Sequence, residues 1–186
     1  MLVLASQSPR RQEILAAAGF QFLVRPSRIP EQRLPGETPI GYVTRLAEEK
    51  AAAVDCARGE LILAADTVVV AGSHLLEKPA DHRDAARMLQ LLAGREHRVI
   101  TGICLRTANR RVTDHAVTTV FFSHMSSEEI DSYVASGEPM DKAGAYAIQG
   151  RASKFIRRIE GCYFNVVGLP ISLFYGHLVD FAEEAE

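Results

Sequence analysis

The feature that most constrains the fold of this chain is an alternation of short apolar strands with amphipathic helices. The run Leu2–Ala5 predicts a buried strand, and Ser8 caps the helix that follows it. Thr38 opens a second helix, whose apolar residues recur on one face. The run "LILAADTVVVAG" then predicts β-structure, with Asp66 at a break between two β-rich halves. This order of elements is typical of α/β proteins.

The second half of the chain adds a hairpin to the alternation. Residues 97–124 are rich in Val, Ile and Thr in two arms, which predicts a long hairpin. Ser126 and Glu129 match a capping box at the start of another helix. A strand near Phe155–Ile159 and a closing helix complete the pattern. We therefore predict an α/β fold with a mixed, twisted sheet flanked by helices, any second lobe growing from the hairpin region.

Composition limits the classes of function. The 186 residues and 20.4 kDa have the size of one domain. A net charge of −2, from 21 Lys and Arg against 23 Asp and Glu, argues against a nucleic-acid partner. No signal peptide is visible, and the most apolar tract, Leu61–Leu76, is too short to span a membrane. Three cysteines without CxxC spacing fit a reducing compartment, so we expect a cytoplasmic protein without a membrane partner.

The start of the first helix carries an unusual concentration of cations. Arg10 and Arg11 lie in its first turn, where positive charge opposes the helix dipole. Free backbone N–H groups at a helix start bind anions, and Ser6, Ser8 and the two guanidinium groups would complete a phosphate-binding site. On the charge pattern alone, the alternative is equally acceptable: the arginines lie on a solvated face or pair with Glu13.

Asp66 is the second candidate, because a carboxylate within an apolar strand region must be paired, close a turn or take part in chemistry. Acids at strand ends in α/β sheets commonly border the active crevice. The alternative is a turn closed through Thr67. Glu31, in the polar loop "SRIPEQRLPG", would join Asp66 in holding a divalent metal through oxygen ligands, or is an ordinary surface acid.

Three further polar residues are candidates for substrate contacts. Lys50 lies on the polar side of the second helix, where an ion pair with a glutamate of the same helix is the alternative. Lys78 precedes a proline in an extended segment that fixes its direction. Gln149 offers a donor and an acceptor in "DKAGAYAIQG", where Gly144 and Gly150 allow close backbone approach. A well-made loop is the alternative for that segment.

Several long segments follow one another in a recognisable order: "LASQSPRRQEIL", "RLAEEKA", "AADTVV", "LEKP", "TG", "YVASGEPMDKAGAYAIQG" and "GCYFNVVGLP". They span almost the whole chain and resemble the Maf family of septum-formation-inhibitor-like nucleotide pyrophosphatases. The resemblance implies one Maf-type domain, residues 1–186, with a two-lobed inosine-triphosphatase-like (Maf/Ham1) architecture and a cleft between the lobes. It also implies hydrolysis of a nucleoside triphosphate to the monophosphate and pyrophosphate with a divalent metal, Mg²⁺ or Mn²⁺, and gives a homodimer as an expectation.

The resemblance also assigns roles to the candidate residues. Asp66 would be the catalytic base of the "ADT" motif and, with Glu31, a metal ligand. Thr67 and Gln149, together with Arg10, match positions linked to base selection. The triphosphate would be held by four cations: Arg10, Arg11, Lys50 and Lys78.

The combination of "SPRR", "ADT" and "AIQG" is similar to the subgroup that acts on dTTP and UTP. A sister subgroup directed at 7-methyl-GTP typically has Trp after "SP" and Gln after the catalytic Asp. The resemblance therefore implies a dTTP/UTP pyrophosphatase that removes non-standard nucleotides and is linked to cell-division arrest. Two alternatives stay open: a pyrophosphatase for modified or methylated nucleotides, and a non-catalytic nucleotide-binding regulator of septum formation.

Overall fold

The structure, a computed structural model, describes residues 1–183 and confirms a mixed α/β fold. Within those residues there are seven strands: β1 (Leu2–Leu4), β2 (Phe22–Val24), β3 (Leu61–Ala71), β4 (His74–Leu76), β5 (Glu96–Arg106), β6 (Arg111–Phe122) and β7 (Ile156–Glu160). The same range contains six α-helices: α1 (Pro9–Ala17), α2 (Pro39–Ala52), α3 (His82–Leu92), α4 (Ser127–Ala135), α5 (Tyr163–Val167) and α6 (Ile171–Glu183). None of these helices is both long enough and apolar enough to cross a membrane.

The strands of the described chain form one mixed sheet, as predicted. Its order is β2-β1-β3-β5-β6-β7, and β4 pairs with β3 outside this path. β1 is parallel to both β2 and β3, with Leu4 opposite Val24 on one side and Leu63 on the other. β4 and β7 run antiparallel to β3 and β6. The predicted hairpin is confirmed, since β5 and β6 are joined by a turn in which the Thr107 N–H donates to the Arg110 carbonyl at 2.9 Å.

The predicted break at Asp66 is wrong. β3 runs without interruption from Leu61 to Ala71, so Asp66 does not close a turn through Thr67. The first part of β3 pairs with β1, and its last residues pair with β4. Residues of high β-propensity on both sides, together with these partners, keep the strand extended through the acid.

The predicted helix starts are confirmed at three places. The Ser8 hydroxyl accepts from the Arg11 N–H at 3.5 Å, and the Thr38 hydroxyl accepts from the Gly41 N–H at 3.1 Å. Ser126 and Glu129 form a reciprocal capping box at the start of α4. The sequence did not predict β4, α5 or three short 3₁₀ turns: Glu138–Asp141, Ala143–Ala145 and Arg151–Phe155.

The chain divides into two compact units. The first contains Met1–Asp66, Thr101–Ala116 and Gly168–Glu186, and the second contains Thr67–Ile100 and Val117–Val167. A core cluster of the first unit is made mostly of small residues: Val3, Ala5, Ala47, Ala51, Val54, Ile62, Ala64 and Cys104. A core cluster of the second unit is larger and aromatic, and includes Leu89, Leu92, Phe122, Tyr133, Tyr146 and Phe155.

Candidate active site

Asp66 and Lys50 form a buried ion pair in the first unit. Lys50 lies in the last turn of α2, which packs closely on β5 because Gly102 has no side chain. A Cβ at Gly102 would lie 2.5 Å from the Val43 carbonyl oxygen. Lys50 Nζ donates to Asp66 Oδ1 at 2.6 Å, and each residue is only 7% exposed. Because a buried charge is costly without a partner, this pair explains how β3 accommodates an acid.

Glu31 joins the pair from the loop that precedes α2. Its Oε1 lies 2.7 Å from the same Lys50 Nζ, although its side chain is 46% exposed. We call Glu31, Lys50 and Asp66 the Lys50 cluster. The candidate base, one candidate phosphate-binding cation and the candidate metal ligand thus lie together. The sequence predicts that Glu31 lies near Asp66, but it does not predict the contacts of Lys50 with both acids.

Both carboxylates of the Lys50 cluster contact the same cation, Lys50 Nζ. Among residues 1–183 there is no group of three or more His, Cys, Asp or Glu side chains suited to a metal ion. Mg²⁺ is commonly held by one or two carboxylates together with substrate phosphates. Glu31 and Asp66 are therefore a donor set that fits a divalent metal completed by phosphate oxygens.

Arg45, which sequence reasoning missed, fastens the loop that carries Glu31. Its guanidinium donates to both carboxylate oxygens of Glu37, at 2.7 and 2.8 Å, and to the Gln32 carbonyl at 3.0 Å. It also donates to Glu49 at 2.9 Å, so the glutamate next to Lys50 in sequence pairs with Arg45. The Arg45 hydrogen bond lowers the pKa of Glu37 to about 2, so this contact stays ionic at neutral pH.

The start of α1 contains a second set of polar contacts in the first unit. Arg11 Nε donates to the Gly168 carbonyl at 2.8 Å, and Arg11 Nη1 donates to Ser6 Oγ at 3.0 Å. Ser6 Oγ also accepts from the Ser8 N–H at 3.2 Å. Ser6, Ser8 and Arg11 are therefore linked by hydrogen bonds at the start of α1.

The charge environment ties this helix start to the Lys50 cluster. Burial lowers the pKa of Arg11, and the negative charges of Asp66 and Glu31 oppose that shift, while Arg10 adds to it. Arg10 and Arg11 are both half-buried. An arginine keeps its charge under such a shift, so three cations (Arg10, Arg11 and Lys50) and two carboxylates share this region of the first unit.

Three predicted site residues lie in the second unit. Thr67 follows Asp66 directly on β3 and is half-buried, whereas Lys78 is exposed beyond β4. The carbonyl of Glu77, next to Lys78, accepts from the Gly144 N–H at 3.1 Å. Gly144 has a positive φ of 69°, and a Cβ there would lie 2.8 Å from Val69 Cγ2. Only glycine fits at this position, which fixes the backbone beside Lys78.

Gln149 is exposed, and it lies in a turn that we call the Gln149 turn, residues Ala147–Arg151. The Gly150 N–H donates to the Ala147 carbonyl at 3.1 Å and closes the turn. The Ala147 N–H donates to the Tyr133 hydroxyl, and the Arg151 N–H donates to the Glu138 carboxylate. Sequence reasoning missed both acceptors, although Glu138 stands within the long segment "YVASGEPMDKAGAYAIQG" and was the available signal.

The chain matches a known protein family over almost its whole length. The family model described as Maf-like protein matches residues 1–181. The chain belongs to the Maf family. The match covers every candidate residue named above, in both units.

Relatives of this Maf protein are similar over nearly their full length. A dTTP/UTP pyrophosphatase from Koribacter versatilis (strain Ellin345) is 50% identical, over 94% of this chain and 91% of that protein. One from Geobacter sp. (strain M21) is 52% identical, over 91% of this chain and 90% of that protein. A third, from Syntrophomonas wolfei subsp. wolfei, is 49% identical, over 94% of each chain.

Solved structures similar to this Maf protein are more distant. A HAM1 protein from Coxiella burnetii is 17% identical, covering 80% of this chain and 87% of that chain with a TM-score of 0.42. The Ham1 protein of Staphylococcus aureus is 14% identical, covering 65% and 71%, also with a TM-score of 0.42.

Proposed function

We propose that this protein is a nucleoside triphosphate pyrophosphatase that hydrolyses dTTP and UTP to the nucleoside monophosphate and pyrophosphate. Relatives about 50% identical over nearly the whole chain carry the name of this activity. The observation that carries the proposal is the Lys50 cluster, in which a buried Asp66 carboxylate is held by an ammonium group that also binds Glu31. A positioned base, and a cation that neutralises phosphate charge, are groups that phosphoryl transfer uses, and Asp66 and Lys50 supply one of each.

In the proposed reaction, Asp66 accepts a proton from the water that attacks the α-phosphorus. The new bond joins the water oxygen to this phosphorus, and the bond to the oxygen bridging the α- and β-phosphates breaks. The leaving group is pyrophosphate. Lys50 holds the Asp66 side chain in place through its hydrogen bond before the substrate binds, and the phosphates then offer this ammonium group a third anionic partner beside Asp66 and Glu31.

The cations of the first unit stabilise the charge that develops on the phosphates. Arg11 is oriented by the Gly168 carbonyl and by Ser6, so its guanidinium needs little reorganisation when the triphosphate binds. Arg10 lies in the same helix turn. Lys78, a residue of the second unit, is the fourth cation that we propose for the triphosphate. Ser6 and Ser8 contribute hydroxyl and backbone N–H groups at the helix start.

Glu31 and Asp66 would hold the divalent metal, Mg²⁺ or Mn²⁺. When bound, such an ion neutralises phosphate charge and makes a coordinated water more acidic. Arg45 and Glu37 keep the Glu31 loop close to α2, so Glu31 needs little movement to reach this position. The homodimer expected from the family belongs to this proposal too, and light scattering of the purified protein tests it.

The test is pyrophosphate release from a panel of canonical and modified triphosphates, with and without added Mg²⁺ or Mn²⁺. We expect dTTP and UTP to be hydrolysed far better than CTP or purine triphosphates, with activity lost after thorough chelation. Preference for a methylated or otherwise modified nucleotide would replace the substrate assignment. Tight nucleotide binding without turnover would favour the non-catalytic regulator and reject the enzyme.

A further inference from the structure

The Gln149 turn is held at both ends by two side chains of the second unit. At its start, the Ala147 N–H donates to Tyr133 Oη at 3.2 Å. At its end, the Arg151 N–H donates to Glu138 Oε1 at 3.0 Å and to Glu138 Oε2 at 3.2 Å. The exposed Gln149 side chain is thus carried by a backbone fixed two residues before it and two residues after it.

Tyr133 and Glu138 are themselves joined by a hydrogen bond. The Tyr133 hydroxyl donates to Glu138 Oε1 at 2.8 Å, and Tyr133 is only 4% exposed. Burial and the Glu138 hydrogen bond raise the pKa of Tyr133, so the hydroxyl keeps its proton and donates in one direction only. It donates to Glu138 while it accepts from Ala147, which fixes the direction of the chain of hydrogen bonds.

The close approach of Glu138 to the turn depends on Gly150. A Cβ at Gly150 would overlap the Glu138 carboxylate. The carboxylate therefore lies directly against the backbone next to Gln149, where any larger residue at Gly150 would displace it. This packing leaves the turn little freedom to move relative to α4, which carries Tyr133.

We propose that Tyr133 and Glu138 are positioning residues for base selection. They fix the position of the backbone that carries Gln149, and thereby the position from which the Gln149 amide contacts the nucleotide base. The inference rests on the proposed function. A glutamine amide can present donor and acceptor in either order, so it discriminates between uracil-type bases and cytosine only when its position is restricted. A polar site of fixed geometry leaves its groups unpaired against the wrong base, which gives large selectivity.

The experiment measures kcat/KM for dTTP and for CTP in wild type, Tyr133→Phe, Gln149→Ala and the double variant. Tyr133→Phe keeps the buried ring and removes only the hydroxyl. We expect the dTTP over CTP ratio to fall roughly tenfold in Tyr133→Phe, as the loss of one or two hydrogen bonds implies. The double variant should be no less selective than Gln149→Ala alone, because Tyr133 acts through Gln149.

Tyr146→Phe is the matched control. Tyr146 is also buried in the second unit, at 5% exposure, and its hydroxyl bonds to His97 Nε2 at 2.8 Å. The control therefore loses one buried hydroxyl without touching the acceptors of the Gln149 turn, and its dTTP over CTP ratio should match that of wild type. Should Tyr133→Phe fail to fold, Glu138→Gln gives the second arm, because it keeps the shape and weakens the bond to Arg151.

The outcomes separate this inference from the proposed function. A selective wild type whose dTTP over CTP ratio is unchanged in folded Tyr133→Phe and Glu138→Gln would overturn the positioning role alone. The positioning role also fails if the double variant is much less selective than Gln149→Ala, or if Tyr146→Phe loses as much selectivity as Tyr133→Phe. A wild type that hydrolyses neither dTTP nor UTP would overturn the proposed function and this inference with it.

Discussion

Around Lys50 the contacts run from one charged side chain to another, whereas around Gln149 they run from side chains to the backbone. In the Lys50 cluster, a single ammonium group reaches Asp66 at 2.6 Å and Glu31 at 2.7 Å. In the Gln149 turn, Tyr133 and Glu138 bind main-chain N–H groups and leave the Gln149 side chain exposed. The first region groups charged side chains, and the second positions a neutral amide.

Because the contacts differ, substitutions in the two regions should impair different properties of the protein. A change in the Lys50 cluster leaves a charge without its partner, which affects both stability and the chemical step. A change at the Gln149 turn leaves the charges in place and alters only what the site recognises. Activity and selectivity should therefore separate cleanly between substitutions in the two regions.

The largest effect is expected from Asp66→Asn. This substitution keeps the shape and an oxygen acceptor for Lys50 but removes the basic carboxylate. We expect kcat for dTTP to fall by about 10³-fold, the range typical of a lost general base, while the folded protein is retained. Steady-state pyrophosphate release and circular dichroism are the measurements. Near wild-type turnover by folded Asp66→Asn would contradict the base assignment.

The next effect is on stability, in Lys50→Met. Removal of the ammonium leaves the buried Asp66 carboxylate unpaired beside Glu31, which should lower the free energy of unfolding by about 3 kcal/mol. Lys78→Met is the control, because Lys78 is exposed and its substitution should change stability by about 0.5 kcal/mol or less. Urea unfolding of both variants decides the matter. Equal stability of the two would mean that the pair with Asp66 contributes nothing.

Gln149→Ala should reduce selectivity and leave stability unchanged, in contrast to Lys50→Met. Loss of the amide should reduce the dTTP over CTP ratio of kcat/KM by about 10- to 100-fold, and the unfolding midpoint should stay that of wild type because the side chain is exposed. UTP should remain a substrate, since a missing methyl group is worth only about 1–3 kcal/mol. An unchanged ratio, or a large loss of stability, would remove the contrast between the two regions.

The sequence predicts the Lys50 cluster better than the Gln149 turn for a physical reason. Asp66 stands out because an acid in an apolar run needs a partner, and that need is visible without a structure. The strand, helix and hairpin pattern is likewise local, and capping residues such as Ser126 mark helix starts. The predicted break in β3 failed because the partner that neutralises Asp66 is Lys50, 16 residues away.

The contacts that sequence reasoning missed join side chains to backbone groups. Arg11 binds the carbonyl of Gly168, 157 positions away, and any residue type has that carbonyl. Tyr133 and Glu138 bind main-chain N–H groups of the Gln149 turn in the same way. Because a backbone acceptor or donor leaves no mark on residue type, only the fold reveals which one is used.

Acid should weaken the second unit through His97, which lies beside Phe122 and Tyr146. Burial lowers the pKa of His97 from 6.5 to about 3, so the folded state binds this proton less readily than the unfolded state. Stability is therefore lost as pH falls below 6.5, by about 2 kcal/mol at pH 5.

Urea unfolding at pH 7 and pH 5 tests this, with His97→Gln as the variant that should lose the dependence. Hydrogen bonds from Arg45 to Glu37 and from Arg25 to Glu60 lower the pKa of both acids to about 2, so these acids titrate below this window in the folded state. A His97→Gln protein with the full wild-type pH dependence would assign the effect to other groups.

Arg11 combines both kinds of contact, and its substitution gives the smallest and most diagnostic effect. It is a cation near two carboxylates, yet it donates to the Gly168 carbonyl and to Ser6. Its place in the first turn of α1 opposes the helix dipole, so removing the charge alone should slightly stabilise the protein. The two hydrogen bonds reverse that sign, and Arg11→Ala should lose about 1 kcal/mol. Arg10→Ala, in the same turn, is the comparison and should be less destabilised.

Both variants should lose most of the thermal stabilisation that a non-hydrolysable dTTP analogue gives to wild type, because each removes a phosphate-binding cation. If Arg11→Ala melts early but keeps the full nucleotide-induced shift, Arg11 serves the fold and does not bind phosphate.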